Sequence, residues 1–181
     1  MEELSLLLPP PRSRNVIAVE YDPQMLKGLK QRVGEEGLSD IRVIQGDANH
    51  LSEVLRGQDM DSPVVMCLQN SLGTWIGNAD KAIIEMRKVA QDYHGEVIIS
   101  LLHQEALKNK GVKMYESLED MVGKVDPDRT DFEKGIFRSK TGYLSHWRTK
   151  EEREAIRQVL GGKLIPLVEH PGFSILHVVY N

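Results

Sequence analysis

Residues 15–22 read Asn-Val-Ile-Ala-Val-Glu-Tyr-Asp, an apolar run that ends abruptly in two carboxylates. Val16 to Val19 are β-branched or small and uncharged, which predicts a short strand buried on both faces of a parallel sheet. Glu20 then stands at the strand's carboxyl end. In open α/β sheets, ligands bind in the crevice outside the carboxyl ends of the strands, where an acidic side chain can accept the hydroxyls of a ribose. Two plainer roles stay open: Glu20 as a solvated turn residue, and Asp22 as the cap of a helix opened by Pro23.

Downstream, the same pattern repeats. Pro23 to Val33 sets Met25, Leu26, Leu29 and Val33 along one helical stripe, ended by Gly34 to Gly37. Ile41 to Ile44 reads as a second strand and runs into Gln45, Gly46 and Asp47, again a carboxylate after a strand, with a short helix over Leu51 to Leu55. A third strand, Val64 to Leu68, finishes in Gln69, Asn70, Ser71, Leu72 and Gly73, a polar set suited to a loop that lines a ligand. Asn78 caps a helix reaching Tyr93, and a fourth strand follows from Val97 to Leu102, ending at His103. Strands alternating with helices predict a Rossmann-like α/β fold, a mostly parallel sheet with helices on both faces.

Beyond His103 the character changes. Residues 104–133 are charged with weak helical periodicity, Met114, Leu118 and Val122 at four-residue steps, and read as a lid or helical cover. Ile136 to Arg138 and Tyr143 to Trp147 flank Gly142 and read as a hairpin, so the lid or insert extends over about 104–148. Thr149 and Glu152 form a capping box for a helix to Leu160 with Ala155, Ile156 and Val159 inward. Lys163 to Val168 and Phe173 to Val179 are joined so tightly, through His170, Pro171 and Gly172, that only antiparallel pairing fits. Leu4 to Leu8, stopped by Pro9, Pro10 and Pro11, reads as the last turns of a helix.

A chain of 181 residues, 40% hydrophobic and 28% charged with a net charge of -4, fits one soluble domain over 1–181. It has no basic surplus for nucleic acid, so the expected ligand is a small molecule. The one cysteine, Cys67, lies in an apolar run and excludes a disulfide framework; a buried thiol in a reducing cytoplasm is the expectation. No membrane-spanning run is present. The six histidines, His50, His94, His103, His146, His170 and His177, lack the spacing of a metal site, and neither a nucleophile elbow nor a phosphate-binding glycine loop occurs.

Val-Ile-Ala-Val-Glu-Tyr-Asp-Pro-Gln-Met-Leu at 16–26, Val-Ile-Gln-Gly-Asp-Ala at 43–48, Met-Cys-Leu-Gln-Asn-Ser-Leu-Gly at 66–73 and the closing antiparallel strands together resemble class I S-adenosylmethionine-dependent methyltransferases. The resemblance covers most of the chain and rests on the ordered set. It implies an enzyme that methylates a small molecule with S-adenosylmethionine as cofactor. It places Glu20 on the ribose hydroxyls, Tyr21 against the adenine, Asp47 on the adenine amino group with the Ala48 backbone beside it, and Leu68, Gln69 and Asn70 along the methionine end. Asp47 also reads as a helix cap. Candidate acceptor-side groups are Asn70, Tyr115, Tyr143, His146 and Trp147; no catalytic base is singled out.

The implied sheet order is 3-2-1-4-5-7-6, with a glycine-rich turn after strand 1. This sequence contains no such turn, so an amino-terminal part of the natural domain is expected to lie outside it, and association between copies through exposed sheet edges is expected. Two alternatives remain: a truncated or degenerate domain that binds no cofactor and acts by association, and a nicotinamide-dependent oxidoreductase, whose ribose also takes an acid after a strand. The oxidoreductase scheme has no use for Asp47 or for the closing strand pair.

Overall fold

A computed structural model describes residues 15–74 and 78–180; the apolar stretch Leu4 to Leu8 lies outside the described residues. The chain divides into two units, residues 1–48 and residues 49–181.

In the first unit, β1 (Val16–Glu20) and β2 (Ile41–Gln45) run parallel, registered from Val16 opposite Ile41 to Glu20 opposite Gln45. They are joined by α1 (Pro23–Glu35). Its start is written in three residues. The Asp22 carboxylate accepts from the backbone N–H groups of Gln24 at 2.8 Å and Met25 at 2.9 Å, and Pro23 supplies a preset φ at the first helical position. Gly37, at φ +65°, lets the chain turn back after the helix. Leu26 is the one buried residue of α1, and Met25 faces water. The expected burial of β1 on both faces is not found: Val16 is exposed and the other four residues are half-buried, and among the described residues β1 pairs with β2 alone.

The second unit opens with a single 3₁₀ turn and α2 (Leu51–Val54) and holds a four-stranded sheet. Here β3 (Val64–Cys67) pairs parallel with β4 (Glu96–Leu102) through the intervening α3 (Ala79–Asp92). The short hairpin strands β5 (Ile136–Arg138) and β6 (Leu144–His146), then α7 (Lys150–Leu160), precede β7 (Lys163–His170) and β8 (Phe173–Val179). β8 inserts antiparallel between β4 and β7, giving the order β3-β4-β8-β7. Within each unit the pairings match part of the implied order 3-2-1-4-5-7-6: β1-β2 as its 2-3, and β3-β4-β8-β7 as its 4-5-7-6.

The period-two pattern of β4 buries Val97, Ile99 and Leu101, and that of β8 buries Leu176 and Val178. α3 packs on β3 and β4 and contributes Ala82, Ile83, Met86, Val89 and Ala90 to the core. Each such large apolar side chain stabilises the fold by about 1.5–3 kcal/mol. α3 is capped by Asn78, whose Oδ1 accepts from the backbone of Asp80 and Lys81. It is fastened to α7 by Arg87, whose Nη1 donates to the Val159 carbonyl at 2.7 Å. The Thr149–Glu152 capping box of α7 is present, but its buried stripe is Ile156 and Leu160; Ala155 is exposed.

Between β4 and α7 lies a separate small core. α4 (Gln104–Ala106), a π-helical turn at Leu107–Gly111, α5 (Val112–Ser117) and α6 (Glu119–Val122) carry it together with the hairpin. Ala106, Leu107, Tyr115, Val122, Phe137 and Trp147 form it, while Met114 and Leu118 of the expected stripe are each 39% exposed. The helix is interrupted between α5 and α6 at Leu118, whose φ of -111° and ψ of 19° are not helical, so a four-residue step does not follow one face across it and only Val122 of the three is buried. No described helix is long and apolar enough to cross a membrane.

Candidate functional site

Four of the sequence-predicted residues fall in the first unit. Glu20 closes β1, and its carbonyl accepts from Gly46 N–H at 3.1 Å, so the carboxyl ends of β1 and β2 are tied together. Its carboxylate Oε1 accepts from the backbone N–H of Asp22 at 2.8 Å, which fixes the side chain over the turn. Asp47 follows β2 by two residues, half-buried, and Ala48 begins the 3₁₀ turn Ala48–His50. Tyr21 is 63% exposed, so its ring is offered to solvent rather than to the core. Two acids at the same end of adjacent parallel strands, with an exposed aromatic ring next to one of them, is a donor set suited to a nucleoside. A carboxylate accepts from a ribose diol or an adenine amino group, and a ring stacks on a base. Asp22 is engaged as the helix cap.

Leu68, Gln69 and Asn70 follow β3 in the second unit. Gln69 and Asn70 are consecutive non-glycine residues at positive φ, +56° and +61°. Each such residue costs about 1–2 kcal/mol over the right-handed form, so the surroundings must hold it. Leu68 and Gln69 point outward, whereas Asn70 is only 9% exposed. Asn70 Nδ2 donates to Ser145 Oγ at 2.8 Å. The Tyr115 hydroxyl donates to the same Oγ at 2.6 Å and itself accepts from Trp147 Nε1 at 2.9 Å. Tyr115 also stacks on Phe137, ring centroids 3.9 Å apart.

Of the acceptor-side candidates, Tyr115 and Trp147 are therefore core residues whose polar tips join this buried chain. Tyr143 is half-buried against both Tyr115 and Phe137; burial, reinforced by the Tyr115 hydroxyl, pushes its phenol up to about 12. His146 is held between charges. Arg148 Nη1 lies 3.1 Å from His146 Nδ1, and His146 Nε2 lies 3.1 Å from Glu152 Oε1. Arg148 donates to Nδ1, so the ring proton sits on Nε2 and is donated to Glu152. Burial and the Arg148 charge lower the His146 pKa, against the opposing pull of Glu152.

Sequence reasoning passed over Ser145 and Arg148. Ser145 is fully buried and Arg148 is 8% exposed, with Nη2 donating to the Leu72 carbonyl at 3.3 Å. The signal for Ser145 was its alternation with Tyr143 and Trp147, which places it on the inward side of the strand. Arg148 carried no such signal. Cys67 is half-buried rather than buried, and desolvation pushes its thiol up to about 11, away from reactivity. Among the described residues no group of three His, Cys, Asp or Glu side chains could hold a metal ion.

No protein-family model matches this sequence, and no curated protein is significantly similar to it. Solved structures are similar in fold. The PH0226 protein from Pyrococcus horikoshii OT3 aligns with a TM-score of 0.60 at 14% identity, over 92% of this chain and 72% of its own. The N-terminal domain of EvdMO1, solved in the presence of SAH and D-fucose, aligns with a TM-score of 0.60 at 11% identity, over 98% of this chain and 71% of its own. The glycopeptide N-methyltransferase MtfA, complexed with S-adenosyl-L-methionine, aligns with a TM-score of 0.54 at 11% identity, over 92% of this chain and 72% of its own. With the strand pairings described above, these similarities identify the fold of the chain as that of class I S-adenosylmethionine-dependent methyltransferases.

Proposed function

We propose that this chain is a methyltransferase domain that binds S-adenosylmethionine and transfers its methyl group to a small molecule. The observation that carries the proposal is the pair of acids Glu20 and Asp47 at the carboxyl ends of the parallel strands β1 and β2. In this reading Glu20 accepts the ribose hydroxyls, Tyr21 lies against the adenine, and Asp47 and the Ala48 backbone take its amino edge. Leu68, Gln69 and Asn70 form the loop at the methionine end. The cofactor supplies an already activated methyl group, so the protein is asked mainly to orient the acceptor and exclude water. An acceptor that is a poor nucleophile also needs a base. The N-terminal domain of EvdMO1 was solved in the presence of SAH and the glycopeptide N-methyltransferase MtfA with S-adenosyl-L-methionine, which supports the choice of cofactor.

A second reading has its own observation. No glycine-rich turn follows a strand in this sequence, and backbone amides of such a turn are what would approach the cofactor's carboxylate end. A domain without it would bind no cofactor and act by association.

Calorimetric titration of the chain with S-adenosylmethionine, S-adenosylhomocysteine and NAD decides between them. Saturable binding of the first two supports the methyltransferase. Binding of NAD alone would move the proposal to an oxidoreductase, and a folded sample that binds none of the three would leave the association-only domain.

A further inference from the structure

The loop after β3 is held partly from within, the Ser71 N–H and hydroxyl both donating to the Leu68 carbonyl at 3.2 and 2.7 Å, and partly from far along the chain. Its two positive-φ residues are followed by backbone hydrogen bonds from Gly73 and Thr74 to the Asn70 carbonyl, at 2.8 and 3.2 Å, and the buried Asn70 side chain reaches into the hairpin. Asn70 has turned its amide away from solvent and onto Ser145, 75 residues later in the chain. Ser145 in turn is gripped by Tyr115, and Tyr115 by Trp147.

We propose that Ser145, backed by Tyr115, is a positioning residue for the loop 68–70, and that Asn70 serves the methyl-donor site as a strut and not through its amide. The inference rests on the methyltransferase reading above. Ser145 has no exposed surface, so it cannot touch a ligand; what it can do is fix where Leu68, Gln69 and their backbone stand. The same hydrogen-bonded chain runs through the aromatic core of the lid. The loop that would meet the methyl donor and the segment that would cover the acceptor are thereby one mechanical unit. A change in the lid on acceptor binding is felt at the donor loop through the Ser145 hydroxyl, beside the Arg148 hydrogen bond to the Leu72 carbonyl.

The experiment is calorimetric titration with S-adenosylhomocysteine of the full chain and of Asn70→Ala, Ser145→Ala, the double variant and Tyr115→Phe, all well below their melting temperatures. Losing one buried, shared hydrogen bond is expected to weaken binding about tenfold. Ser145→Ala and Asn70→Ala should each show that loss, and the double variant should be no more than about twofold weaker than either, because both remove the same strut. Tyr115→Phe keeps the ring on Phe137 while removing the hydroxyl, and should weaken binding in the same direction even if Ser145→Ala fails to fold. A purely structural hydroxyl would lower melting temperatures and leave the affinity of the folded variants unchanged, which would overturn the inference. So would losses that multiply in the double variant. If the parent chain binds no S-adenosylhomocysteine, the methyltransferase reading falls and this inference with it; binding by the parent with unaltered variants removes the inference alone.

Discussion

Arg153 grips Glu105 with both terminal nitrogens, Nη1 to Oε2 at 2.9 Å and Nη2 to Oε1 at 3.0 Å. The same Nη1 donates to the Arg148 carbonyl at 2.7 Å. One guanidinium in the first turns of α7 thus clamps the helical turn that follows β4 and the strand extension that carries Arg148. The Arg153 side chain is 11% exposed and that of Glu105 50%, so half of the pair is screened by water.

Because a lysine keeps the charge but not the fork, Arg153→Lys should lower stability by about 1 kcal/mol and Arg153→Ala by about 2 kcal/mol. Urea midpoints measured at constant slope check this. Equal losses for the two variants would mean that the planar geometry contributes nothing.

His146 makes stability depend on pH. Burial first, then Arg148, lowers its folded pKa below the ordinary 6.5, while Glu152 and Asp80 oppose the shift. The unfolded chain therefore takes up the proton first. Stability is complete above about 6.5 and is lost as pH falls from there through the lower folded value. His103, buried and facing Arg153, is shifted the same way and adds to the loss over the same window. The urea midpoint should fall between pH 7.5 and pH 5.5, and His146→Gln, which removes the titrating ring, should make that fall smaller. A midpoint that rises on acidification would contradict the assignment.

Glu20 and Asp22 are neighbours with separable roles. Asp22→Ala removes the α1 cap and should cost about 1 kcal/mol of stability while leaving cofactor affinity unchanged. Glu20→Ala should instead weaken S-adenosylmethionine binding by about 1–3 kcal/mol, the range for hydrogen bonds to a charged group. Paired calorimetry and thermal melts distinguish the two. If the effects are exchanged, the site does not use Glu20.

Gly135 sits at φ +67°, and a Cβ there would overlap the carbonyl oxygen of Trp147. Its own carbonyl accepts from Trp147 N–H at 2.7 Å. Gly135→Ala should therefore destabilise the chain by at least about 2 kcal/mol, strain and overlap acting together. Gly142→Ala, at φ +94° but with open space around its Cα, should cost less. The ordering of the two melting temperatures is the readout.

Local chemistry made much of the chain legible before any coordinates. Asp22 with Pro23, Asn78, and Thr149 with Glu152 each start a helix through contacts within three residues, so sequence spacing alone determines them. The β-branched runs set the strands, and the connection at His170 to Gly172 left β7 and β8 no choice but antiparallel pairing. The two acids after β1 and β2 were equally visible, since a position at a strand's end is a property of the chain's order.

Tertiary structure decided what depends on partners distant in sequence. It kept Val122 of the expected stripe in the small core but passed over Met114 and Leu118 in favour of Tyr115. It took Asn70 out of the solvent by giving its amide a hydroxyl 75 residues away, and placed His146 between Arg148 and Glu152. A residue's own sequence carries its hydrogen-bonding capacity, but the partner that satisfies it is chosen by which elements the packed core brings within about 3 Å. That is why the helix starts and strand ends of this protein were fixed by its sequence, and its buried Asn70–Ser145–Tyr115–Trp147 chain only by its fold.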